Sequence, residues 1–161
     1  MRRIALGLAV VAAAAAGFSL WPTDARAIRQ TLAAAADTLS VPAGEGDLQR
    51  VARAAGLGKR LTTDVVVEAG PEGPSIQGRV TVVGLAAGLR TAGPVTVSVT
   101  EIDLAVDGAA GRATARVAGH VSGERPGELE RVDDTELTVE LTRIDGAWLI
   151  ARVTRVPDLG R

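Results

Sequence analysis

Proton transfer near neutral pH has one histidine to draw on, His120, and the acidic residue best placed to join it is Asp64. An imidazole gains and loses a proton close to pH 7. Asp64 precedes Val65-Val66-Val67, and a carboxyl buried beside such a stretch holds its proton more tightly, which suits acid–base work. Each residue also has a plainer reading. His120 continues the alternation Thr114, Arg116, Ala118, opposite in phase to Ala113, Ala115 and Val117, so it falls on the polar face near a strand end. Asp64 equally suits a helix-to-strand junction, where its carboxylate bonds nearby backbone amides.

The remaining candidates divide in the same way. Arg79 at a helix start could meet an anionic ligand, or pair with an acidic neighbour or the sheet rim. Trp148 could stack on a ligand, but its alternation with Ile150 points to core packing. Asp103 lies out of phase with Ile102 and Leu104 and faces water. Asp133, Asp134 and Glu136 form an acidic cluster without the glycine-centred loop or spacing of a calcium site. One histidine and no cysteine cannot make a zinc site, and the absence of cysteine also excludes disulfides, thiol nucleophiles and lipid attachment through a thiol. No cofactor or metal is expected.

These residues need elements to hold them. Ile28, Leu32, Ala35 and Leu39 recur at helical spacing, predicting an amphipathic helix over roughly 24–38. Ser40 to Gly44 interrupts it. Leu48, Val51, Ala52 and Ala55 predict a second helix with this apolar face, ended by Gly56 and Gly58. Thr63 to Glu68 reads as a strand and Ala69 to Ser75 as a loop. Val82, Leu85, Ala86 and Leu89 mark a third helix over 79–90. After Gly93-Pro94 the period becomes two, with Val95, Val97 and Val99 apolar, and then the phase slips to Ile102, Leu104 and Val106. One extra residue near Thr100-Glu101 produces that slip, the trace of a β-bulge. Asp107-Gly108 and Asp145-Gly146 read as hairpin turns joining the later strands. Helices followed by antiparallel strands predict an α+β domain with a curved sheet.

The 161-residue chain has room for one ordinary domain. Its 47% hydrophobic residues supply a core, but with aromatics at 2% that core must be built of Val, Leu, Ile and Ala around Trp148. Ahead of the domain, Arg2 and Arg3 precede an uncharged run from Ile4 to Trp21, which Pro22, Thr23 and Asp24 end. This is the design of an export segment. Residues 1–23 are therefore expected to be a signal-anchor or signal peptide, and residues 24–161 the domain. The run is near the lower limit for spanning a bilayer. Ala25-Arg26-Ala27 fits a small-x-small cleavage site, whereas the helix beginning near Asp24 would lose its first turn to a cut after Ala27. The expectation is a single-pass membrane protein with an extracytoplasmic domain, the alternative a secreted or periplasmic domain cut near Ala27. Without residues 1–27 the chain is mildly acidic and has no basic run, so nucleic acid is not an expected partner.

Ile76-x-Gly78-Arg79 opening the third helix, and Asp145-Gly146-x-Trp148-x-Ile150 on the last hairpin, resemble the nuclear transport factor 2-like superfamily, including its SnoaL-like members. The resemblance covers about residues 24–156. It implies a cone, in which a bent antiparallel sheet wraps around about three helices and leaves a pocket at the wide end. That pocket would use Asp64, Val66, Arg79, Thr100 and Trp148 as ligand-binding residues. The superfamily holds isomerases, cyclases and dehydratases as well as non-catalytic binding and interaction modules. Its isomerases stabilise an enolate with a tyrosine, and this chain has none. Cyclase-like chemistry needs an Asp or His pair, which only Asp64 and His120 could provide. The expected function is a non-catalytic envelope module binding a small apolar ligand or a protein partner, with homodimerisation through the sheet face. The alternative is an enzyme on a small organic substrate, with Asp64 as base and His120 assisting.

Overall fold

The structure is a computed structural model that describes residues 23–70, 73–89, 94–123 and 131–156. The apolar run from Ile4 to Trp21 lies outside these residues, and among those described no helix is long and apolar enough to cross a membrane.

Helix α1 covers residues 23–39, and its predicted stripe is the buried one: Ile28 is 0% exposed, with Leu32 and Ala35 close behind. Leu39, at the helix end, remains 40% exposed instead of completing that stripe. Ser40 stops the helix. Its Oγ accepts the Val97 N–H at 3.0 Å, and Val41 pairs with Val95 through two backbone hydrogen bonds. Helix α2 (Asp47–Gly58) follows, then β1 (Leu61–Glu68), β2 (Ser75–Gln77), α3 (Arg79–Leu89), β3 (Val95–Asp107), β4 (Arg112–Gly123), β5 (Arg131–Ile144) and β6 (Ala147–Arg155).

The six strands form one curved, open sheet in the order β2-β1-β6-β5-β4-β3. The expectation of an antiparallel sheet needs correcting. β1 runs parallel to β6, so the sheet is mixed. The short strand β2, in residues expected to lead into a helix, runs antiparallel to β1 and ends at Gly78. Gly78 has φ +88°, a backbone state open to glycine at little cost. That turn lets its N–H reach the Val65 carbonyl at 2.8 Å and launches α3 across the sheet.

The bulge read from the alternation occurs where it was expected. Val99 lies opposite Gly119 and Glu101 opposite Ala118, leaving Thr100 as the extra residue. Gly119 is required there, because a Cβ on it would come within 2.6 Å of the Ser98 carbonyl oxygen. A second irregularity, unsignalled by alternation, falls between Glu140 and Leu141 against β6. Asp145 and Gly146 both have positive φ, 50° and 80°, as a two-residue type I′ turn demands. The Asp107-Gly108 turn is longer than a tight hairpin, extending over residues 108–111, with Asp107 Oδ1 accepting the Ala110 N–H.

The core gathers Ile28, Leu32, Leu57, Leu61 and Val65 with Ala113, Ala115, Val117, Val139, Leu141, Trp148 and Ile150. Helix α2 does not use the face its spacing suggested. Leu48 is 87% and Val51 67% exposed, while Ala54, Leu57 and Gly58 are buried. Close approach explains the reversal. A Cβ on Gly58 would lie 3.3 Å from Val83 Cγ2 of α3, so the side carrying the smallest residues is the side that fits. Arg53 locks this orientation, bonding the Asp37 carbonyl at 3.0 Å and the 2%-exposed Glu45 carboxylate at 3.3 Å.

Candidate functional site

A two-residue turn at Asp145-Gly146 places Arg143 of β5 directly opposite Trp148 of β6. The guanidinium lies 5.5 Å from the indole centroid, within cation–π range. Asp24, in the first described turn of α1, meets both residues. Its Oδ1 accepts Trp148 Nε1–H at 3.1 Å, and both of its oxygens lie 3.3 Å from Arg143 Nη1. Arg143 Nη2 donates to the Gly108 carbonyl at 2.9 Å, and Thr31 Oγ1 donates to the Trp148 carbonyl at 3.3 Å. Asp24 is only 9% exposed. A carboxylate out of water demands such donors, and these tie the start of α1 to the β3–β4 and β5–β6 turns. Sequence reasoning missed Asp24 and Arg143, although the hairpin turn implied the Arg143–Trp148 pairing.

The residues expected to do chemistry are not assembled. Asp64 is exposed in the stretch of β1 where pairing with β6 is interrupted. His120 lies on β4, two strands beyond β6, on the polar face of the sheet. There it stands in a cross-strand row with Ser98 and Asp134, and its Nδ1 is 2.5 Å from Asp134 Oδ1. The His120 and Asp134 side chains are 47% and 82% exposed. An enclosed Asp64–His120 pair is therefore corrected. The strand alternation that fills the core with Ala113, Ala115 and Val117 turns His120 outward.

The five expected ligand-binding residues are likewise scattered. Trp148 is 4% exposed and serves the core and the Asp24 network. Thr100 is exposed at the bulge, its hydroxyl bonded to the Ala118 carbonyl at 3.1 Å. Val66 is half-buried in β1, opposite Gln77 and Arg152. Arg79 reaches back to β1, where its Nη2 donates to Thr63 Oγ1 at 3.2 Å, while its Nε is buried without a partner.

An open cleft of about 440 Å³ does form where the loop after β1 passes the end of β6. Glu68, Gly70, Gly73, Ser75, Thr154 and Arg155 line it, and none of the expected site residues does. The Glu68 carboxylate accepts Arg152 Nη1 at 2.5 Å and Thr154 Oγ1 at 3.0 Å. Arg152 also lies 3.8 Å from Glu140, closing a polar chain across β1, β6 and β5. Sequence alternation could not have found this chain, because it depends on the parallel β1–β6 register.

The concave wall on the core side is aliphatic, with Val99, Ile102, Leu104, Val106, Leu137 and Val153 packed around the buried cluster and only partly covered. Such a wall can receive apolar surface. Asp24 and Arg143, the charged groups beside Trp148, are paired with one another.

No family model matches the sequence, and no curated protein matches it. Solved structures do. A protein of unknown function from Mycobacterium tuberculosis superposes with a TM-score of 0.71 at 20% identity, covering 88% of this chain and 75% of that one. A nuclear transport factor 2-like protein with a cystatin-like fold from Novosphingobium aromaticivorans gives 0.70 at 17% identity, covering 91% and 89%. A protein from the same organism, provisionally assigned as a scytalone dehydratase, gives 0.68 at 15% identity, covering 83% of each chain. At these identities the likeness speaks for architecture alone. The chain has the nuclear transport factor 2-like fold.

Proposed function

We propose that the domain is a non-catalytic binding module of the cell envelope, whose concave aliphatic wall receives a small apolar ligand. One observation carries this reading. The described polar groups near that wall, Asp24, Arg143 and the Trp148 indole N–H, are already committed to one another, while Asp64 and His120 lie elsewhere in solvent. What remains for a ligand is apolar surface, which favours binding by area rather than by reaction. Residues 1–23 would place the domain at the membrane, outside the cytoplasm. A homodimer through the sheet's polar face would meet the row of Glu68, Arg152 and Glu140, making that contact wet and salt-sensitive.

A protein partner is the second reading, supported by the solvent-facing Leu48 and Val51 of α2. Native mass spectrometry of the chain recovered from its own envelope separates the readings. A bound apolar small molecule, released into organic solvent, supports the ligand reading, and a co-purifying polypeptide supports the other. Turnover of an added small organic substrate that is lost in both Asp64→Asn and His120→Ala would overturn the non-catalytic proposal.

A further inference from the structure

We infer that the mature protein keeps Asp24, so that any cut releasing the domain falls ahead of this residue and not after Ala27. The inference rests on the proposed export of the domain and adds where the chain can be cut.

The small-x-small triplet Ala25-Arg26-Ala27 is the feature that argues for release, and the fold has already used it. Residues 23–39 are helical, Ala27 packs against the core, and Ile28, the residue after the cut, is 0% exposed. Cleavage there would have three physical consequences. It would remove Asp24, leaving Trp148 Nε1 and Arg143 Nη1 without the acceptor that now lies at 3.1 and 3.3 Å. It would place a charged ammonium on Ile28, a core residue that is 0% exposed in the uncut chain. It would also set that positive charge at the N-terminus of a helix, where the macrodipole repels it.

A cut that spared Asp24 would have to fall at or before the Thr23–Asp24 bond. Within the apolar run, Ala15-Ala16-Gly17 and Gly17-Phe18-Ser19 are small-x-small triplets, and a cut after either leaves Asp24 in place. The fold thus removes the site at Ala27 and leaves only sites ahead of the domain's first described helix.

The test uses the full chain carrying a C-terminal tag in a bacterial host. The expected result is a mass that begins at or before Asp24, at Met1 in a membrane fraction or at a residue following an upstream small-x-small triplet in a soluble one. A soluble species whose mass begins at Ile28 would overturn the inference. Protease access to the tag in spheroplasts reads export separately: a protected tag means that the export reading has failed. In that case thermal melts in detergent decide whether the domain needs Asp24. Asp24→Ala in the full chain is expected to lower Tm by roughly 5 °C or more, with Asp24→Asn losing less because it retains an acceptor for the indole N–H. Melting of Asp24→Ala at the wild-type temperature would sink the inference.

Discussion

The indole N–H of Trp148 points at the carboxylate of Asp24, 3.1 Å away and 124 positions earlier in the chain. With Arg143 stacked on the same ring, this contact closes the fold on itself, holding the first helix against the last hairpin. Almost every other core contact is aliphatic, so this is where the domain takes its directional specificity.

Trp148→Phe isolates the hydrogen bond from the ring. The phenyl group keeps most of the apolar contact and removes the donor, while Asp24 retains Arg143. We expect a loss of about 1–2 kcal/mol in chemical denaturation, against about 3–5 kcal/mol for Trp148→Ala. Equal losses would show that ring volume alone matters.

Arg143→Met and Asp24→Ala form a double-mutant cycle. Removing either partner strands the other in a part-buried site, so each single change is expected to cost about 2–4 kcal/mol and the pair less than their sum. Additive costs in urea titrations would mean that the pair does not act as a unit.

Helix α2 provides a test of which face packs. Val51→Lys, on the exposed side, is expected to change stability by no more than about 0.5 kcal/mol, while Leu57→Ala should cost about 2–4 kcal/mol. If Val51→Lys unfolds the domain, α2 is buried on the face that its apolar spacing first suggested.

Gly119→Ala forces a Cβ against the Ser98 carbonyl and requires the bulged strand to move. A loss of about 1–3 kcal/mol is expected. Gly84→Ala, where a Cβ meets nothing within 4 Å, should instead be neutral or stabilising by up to about 1 kcal/mol in thermal melts.

Much of the strand half of this fold is written in local pattern. The phase slip between Val99 and Ile102 reveals the bulge because side chains alternate strictly along a strand, so one inserted residue leaves a mark in the sequence itself. Asp145-Gly146 equally fixes Arg143 opposite Trp148. Helix α2 shows where such reasoning stops. Its stripe of Leu48, Val51, Ala52 and Ala55 correctly predicts a helix, but periodicity cannot say which face a neighbour will choose. That choice came from Gly58 and Val83, residues far apart in sequence whose close approach exists only in the folded chain. The Glu68–Arg152–Glu140 chain was hidden for the same reason, since it needs β1 and β6 side by side in parallel. Asp24 was hidden differently. It was read as the end of a hydrophobic leader, and its acceptor role depends on a hairpin at the other end of the molecule.

Because the sheet never closes, β3 lies at its margin, and beyond Val97, where Ser40 and Val41 cover it, no other strand pairs with its outer side among the described residues. Such a border is a template on which another extended chain can add itself. Here the inserted Thr100 disturbs the even spacing that a newcomer would have to match, and Glu101, Asp103 and Asp107 would crowd like charges against a second copy. The irregularity that bends the sheet around its helices thereby also guards the domain against self-templated growth into fibres.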